Sequence, residues 1–198
     1  MRLRRGGPAL SPGTTTPYRR SVTTHVVLLR AVNVGGTGKL PMADLRRIAL
    51  EAGYTGVETY IASGNLLLES GAAGPEGETA VAHALEAALE AYAGGPVGVL
   101  VRGPAELRRV LDANPFPAEP GNRVAVLFLP GAPPSDALET VTRADDGEQV
   151  RLGERALYVH YPNGMGRSRL RIPAAARGTA RNLNTVAALV RLAQARPG

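Results

Sequence analysis

The chain has 198 residues, 44% of them hydrophobic and 20% charged, which fits a globular protein and excludes wholesale disorder. With no Cys, disulfides, thiolate zinc sites and cysteine nucleophiles are excluded, and His25, His83 and His160 are too far apart for metal-ligand spacing. The net charge of +6 is unevenly spread: residues 1 to 20 hold five Arg and no acid, residues 155 to 198 hold eight Arg and no acid, and the stretch between carries ten basic against all 17 acidic residues. An acidic body and a basic last quarter either neutralise each other by packing, the blander reading, or leave a positive face that attracts anions over about 10 Å at ordinary salt.

Residues 1 to 22 are rich in Arg, Gly, Pro, Ser and Thr, show no apolar period and read as a disordered basic tail. Gly6-Gly7-Pro8 interrupts any secretory apolar run, and no stretch approaches the roughly 18 apolar residues of a membrane span. The expectation is a cytoplasmic protein without a membrane partner.

His25 to Leu29 reads as a buried strand that empties into a polar, glycine-rich loop, Arg30 to Lys39. A helix follows from Pro41, with Met42, Leu45, Ile48 and Ala49 as its apolar stripe and Gly53 as its stop. Val57 to Ala62 and Leu66 to Glu69 read as strands joined by the turn Ser63-Gly64-Asn65. Gly71 to Gly77 reads as a flexible connection, Glu78 to Tyr92 as a helix, and Pro96 to Val101 as a fourth strand. Strand, helix, strand, strand, helix, strand is the split βαβ, or ferredoxin-like, order.

A short helix over Pro104 to Leu111 and a Pro-rich connection over 113 to 121 follow. The second unit reads as a strand over Arg123 to Leu129, a helix near Ser135 to Thr142, and strands near Glu148 to Leu152 and Ala156 to Tyr161. An irregular segment from Pro162 to Arg177 and a helix from about Asn182 to Ala195 complete it. The fold class is α+β: a tail over 1 to 22, a ferredoxin-like subdomain over 23 to 112, a linker over 113 to 121, and a second α/β subdomain over 122 to 198. No internal repeat is evident in the sequence.

The loop Gly35-Gly36-Thr37-Gly38-Lys39 invites comparison with a phosphate-binding P-loop, but Asn33 stands where the first Gly belongs and Leu40 where Ser or Thr belongs. A dinucleotide fingerprint fails at Pro41. Two readings stay open: the glycines merely let the strand turn, or loop amides and Lys39 hold a carboxylate or phosphate at the helix start. Arg167 and Arg169, in a glycine-bearing segment after a strand, suit a bidentate anion clamp. Asn182 is first of all a helix N-cap, and Arg181, awkward at a helix N-terminus, calls for an anionic partner, a carboxylate of this chain before any ligand. Aromatic content of 4% and the lack of an RNP-like run count against recognition of single-stranded RNA.

LLRAVNVGGTGKLPMADLRRIALEAGYTGVETYIASGNLLLES resembles the opening of the bacterial family filed as domain of unknown function 1697, and HYPNGMGRSRL and TARNLNTVAALVRLA resemble its later blocks, in the expected order. The likeness covers residues 25 to 195. It implies a two-subdomain α/β fold with a ferredoxin-like first half, and no activity. Its polar signature falls on Arg30, Asn33, Gly35, Gly36, Lys39, Ser63, Gly64, Asn65, Gly164, Gly166, Arg167, Ser168, Arg181, Asn182 and Thr185, with two departures, Ala31 for a Gly and Leu183 for a Trp. The expected function is binding of a small phosphate- or carboxylate-bearing ligand between subdomains, by Arg30, Asn33, Gly35, Gly36, Lys39, Ser63, Asn65, Arg167, Ser168, Arg181 and Asn182. The alternatives are a cofactor-independent enzyme in the same pocket, with Lys39 as electrophile and His160 as base, and an adaptor that meets nucleic acid or protein on the basic C-terminal face.

Overall fold

The apolar run after the tail forms β1 (Thr23–Leu29), whose successive side chains enter two different cores, Val26 and Leu28 on one face and Val27 and Leu29 on the other. The computed structural model describes residues 22–30 and 40–196, so the expectations for the tail, Asn33, Gly35, Gly36 and Lys39 lie outside the described residues. After β1 come α1 (Met42–Glu51), β2 (Thr55–Tyr60), β3 (Asn65–Ser70), α2 (Gly74–Ala93) and β4 (Val99–Arg102). The strands pair in the order β2-β3-β1-β4, all antiparallel, which is compatible with the ferredoxin-like expectation. Leu45 and Ile48 of α1 and Val81, Leu85 and Leu89 of α2 bury their stripes on the outer face of this sheet.

α2 begins at Gly74, inside the stretch expected to be a flexible connection. Pro75 suits the first turn, where its missing N–H costs nothing, and Gly77 is buried where a Cβ would meet the Ala72 carbonyl carbon at 2.8 Å.

The chain continues through α3 (Pro104–Asp112), β5 (Val124–Phe128), β6 (Gln149–Leu152), β7 (Ala156–His160), β8 (Thr179–Asn182) and α4 (Leu183–Gln194). The second sheet has the order β6-β7-β5-β8, again all antiparallel. α3 and α4 touch each other and lie against both halves. One apolar cluster runs from Val26, Leu28 and Leu67 of the first sheet through Leu107, Val186 and Leu189 to Val124, Phe128 and Tyr158 of the second. Leu183, the departure from the aromatic of the family signature, packs against this cluster. Phe116, within the 113 to 121 connection, is buried in the same core.

Two elements differ from the sequence reading. The helix expected over Ser135 to Thr142 is a run of turns, in which only Ala137 is buried and Thr142 bridges to Arg171. Two prolines precede the segment and three β-branched residues end it, so it lacks both the apolar stripe and the propensity of a helix. Conversely, β8 forms where only a lead-in to the last helix was expected. Thr-Ala-Arg-Asn carries no strand signal, and its place comes from pairing with β5.

Candidate functional site: an arginine clamp beside a cationic cleft

Arg181 lies on β8 opposite Val126 and is 6% exposed. Its Nε donates to Asn65 Oδ1, Nη1 to Thr179 Oγ1 at 2.8 Å and to the Ala180 carbonyl at 2.8 Å, and Nη2 to the carbonyls of Leu29 at 2.9 Å and Ser63 at 2.9 Å. None of these acceptors is a carboxylate, so the anionic partner expected for Arg181 is replaced by a cage of neutral oxygens. Burial without a counter-charge pushes its pKa down to about 10, which still leaves it cationic at neutral pH. With every N–H engaged, Arg181 positions the end of β1 and the 61–64 turn rather than offering a donor to a ligand. That turn holds Ile61 at φ 50° and Gly64 at φ 76°, and the Asn65 carboxamide nitrogen closes it onto the Tyr60 carbonyl at 2.9 Å. The structure thus gathers Ser63, Asn65 and Arg181 as a clamp from the second sheet onto the first.

Arg30 leaves the clamped end of β1 and enters a cleft of about 370 Å³ between α2 and β4 on one side and Pro130, Arg155 and Arg177 on the other. This volume lies within the usual range for ligand pockets. The Arg30 N–H donates to the Gly98 carbonyl at 2.9 Å, and its guanidinium crosses Gly98 to reach the Ala176 carbonyl at 3.0 Å. A Cβ at Gly98 would meet Arg30 Cδ and Nη1 at 2.8 Å, so any larger residue there displaces the guanidinium from this path.

The two ends of the cleft differ in charge. At the Gly103 end Arg155 Nη1 binds Glu78 Oε2 at 3.1 Å and Glu106 Oε2 at 3.0 Å, while Arg102 Nε approaches Glu106 Oε1 at 2.9 Å without hydrogen-bond alignment. Burial pushes the Glu106 carboxyl up and the Arg102 guanidinium down, against the attraction between the two. At the Gly98 end Arg30 keeps a buried, unpartnered Nε, and neither Arg30 nor the exposed Arg177 has a carboxylate partner among the described residues. Glu86 at this end is engaged, with Oε1 accepting from the Val99 N–H at 3.0 Å.

The remaining expected residues lie elsewhere. Asn182 caps α4, its side chain accepting from the Thr185 N–H at 2.8 Å. Arg167 and Ser168 sit at the opposite edge of the second sheet: the Ser168 hydroxyl donates to Glu148, next to β6, three strand spacings or about 14 Å from β8. That hydrogen bond holds the Glu148 carboxyl below its ordinary value. His160 is not in the cleft either. It lies five residues along the chain from Arg155, about 16 Å of extended strand, against Glu119 at 3.2 Å and Phe116 at 5.6 Å between ring centroids.

Glu78, Glu86, Arg155 and Arg177 were missed in the sequence. Pro75, Glu78, Ala82 and Glu86 recur at helical spacing beside the apolar stripe of α2, a signal indistinguishable in sequence from a solvated face.

A search of curated proteins finds no match. Among solved structures, the conserved bacterial protein SP0830 from Streptococcus pneumoniae is similar, at 20% identity and a TM-score of 0.68 over 87% of this chain and 99% of that one, a likeness of fold. The model of the family described as protein of unknown function DUF1697 matches residues 22–158. The chain therefore belongs to the DUF1697 family.

Proposed function

We propose that the protein binds a small phosphate- or carboxylate-bearing molecule at the Gly98 end of the cleft. The observation that carries this reading is the pair Arg30 and Arg177, two guanidiniums lining one cavity without a carboxylate partner among the described residues, while the cations at the other end are neutralised by Glu78 and Glu106. Planar guanidiniums match carboxylate and phosphate oxygens in bidentate fashion. Calorimetry and thermal shift with inorganic phosphate, citrate and succinate test it. A ligand at 100 times its Kd raises stability by about 2.7 kcal/mol. Arg30→Ala and Arg177→Ala are each expected to weaken binding at least tenfold, and Arg167→Ala to leave it unchanged. No binding from the panel, or undiminished binding by both cleft variants, overturns the proposal.

A second reading draws on Arg167 and Arg169, both exposed and without an ion pair among the described residues. An anionic polymer docked there would lose affinity steeply with salt, and salt-insensitive binding rejects it.

A further inference from the structure

The start of β4 brings opposite charges to one end of the cleft from the two faces of the first sheet. Val99 and Val101 pack under α2, whereas Leu100 turns into the core shared with the second sheet. Gly98 has the phase of Leu100, and on that side the Arg30 side chain crosses it on the way to the Ala176 carbonyl. Glu86 comes to the same point from α2, its Oε1 accepting from the Val99 N–H at 3.0 Å. Both residues line the cleft, and they make no ion pair with each other. Arg30 Nη1 and Glu86 Oε2 have no hydrogen-bond partner among the described residues, and neither atom is enclosed, in contrast to the buried Arg30 Nε.

The gap between these two charges is bounded. Arg30 Nη1 lies 2.8 Å from the place of a Gly98 Cβ, Glu86 Oε1 lies 3.0 Å from the Val99 nitrogen, and less than one residue of backbone separates the two points. The guanidinium and the carboxylate therefore stand within about 9 Å of each other, beyond the reach of a direct ion pair. In an α-amino acid the ammonium nitrogen and a carboxylate oxygen are about 3 Å apart, and a charge-assisted hydrogen bond of about 2.8 Å at each end extends the span to about 9 Å. A ligand with negative charge alone would meet Glu86 as a like charge, whereas a zwitterion meets both signs. Resting on the anion reading of this cleft, we infer that its ligand is a free α-amino acid, with a carboxylate on Arg30 and Arg177 and the ammonium on Glu86 Oε2. Glu86 is then a specificity-determining residue, held ready by its bond to the Val99 N–H.

Calorimetry on the full chain at neutral pH compares succinate, aspartate and N-acetyl-aspartate. Aspartate is succinate with one ammonium group added, and acetylation removes that charge. Aspartate is expected to bind at least tenfold tighter than either of the others. Glu86→Gln keeps an oxygen for the Val99 N–H and removes the charge, so it should abolish the preference for aspartate without weakening succinate. Glu90→Gln, one turn further along α2, exposed and outside the cleft, should leave the preference intact, which separates contact from the general field of the helix. If succinate binds and aspartate is no tighter, or acetylation costs nothing, or the preference survives Glu86→Gln, the amino-acid inference falls and the anion site stands. If neither succinate nor aspartate binds, both fall.

Discussion

The two sheets share one connectivity, β5, β6, β7 and β8 holding in the second the places of β1, β2, β3 and β4 in the first. They differ in what crosses over their outer faces. α1 and α2 close a cluster of fourteen buried residues over the first sheet, whereas turns, two short 3-10 turns and coil cross the second above only Leu129, Val150, Leu157 and Val159, among the described residues. The strand order is the same with and without crossing helices, so pairing and the inner core common to both sheets suffice to hold it. Helical crossovers add depth of apolar burial. Where they are missing, the second sheet is held by contacts that reach into the first.

The largest expected effect tests that last point. Arg181→Met removes the clamp and strands the Leu29 and Ser63 carbonyls with the Asn65 carboxamide oxygen, a loss of about 3–5 kcal/mol read from the urea midpoint. A loss below about 1 kcal/mol would mean that β8 does not hold the end of β1. Leu66 and Leu157, fully buried on the corresponding strands β3 and β7, sharpen the contrast between outer faces. Leu66→Ala should cost about 3–5 kcal/mol beneath two helices and Leu157→Ala about 2–3 kcal/mol beneath coil that can settle into the gap, so equal losses would break the comparison.

Tyr158→Phe probes the inner core, where the hydroxyl donates to the Val110 carbonyl of α3 at 2.7 Å and burial pushes its pKa up to about 12. About 1 kcal/mol should be lost in urea unfolding, with the unfolding slope unchanged. The smallest effect is on the helical side. Burial holds His25 below its ordinary 6.5, with its Nε2 near Ser70 Oγ at 2.9 Å and the Ala72 carbonyl at 3.0 Å, its Nδ1 unpartnered, and Glu78 the facing charge. The unfolded chain therefore takes up the proton first. The stability tied to His25 is complete above pH 6.5 and declines as pH falls from there toward the folded value. An NMR titration placing the His25 midpoint at or above 6.5 would remove this effect.

The first half was legible because its signals are local: β1, β3 and α1 follow apolar periodicity, as α4 does at the other end of the chain, and the 61–64 turn follows Ser63, Gly64 and Asn65. β8 was not, because Arg181 points a charge into the protein and only the carbonyls of Leu29 and Ser63, more than a hundred residues away, make that tolerable. The candidate site divides in the same way. Arg30, Ser63, Asn65 and Arg181 stand out as residues, but Arg30 lines the cleft while the other three build the clamp, and Arg167 lies at the far edge of the second sheet.

The sequence by itself determined the α+β class, most elements of the first half and the excess of Arg over acid in the last quarter, since each is carried by neighbours along the chain. Tertiary structure alone decided that two unlike stretches repeat one strand order, that Arg155 meets two carboxylates while Arg30 and Arg177 meet none among the described residues, and that β4 lines the cleft. Pairing of strands and desolvation of charges depend on which distant groups meet, and neither leaves a period in the sequence.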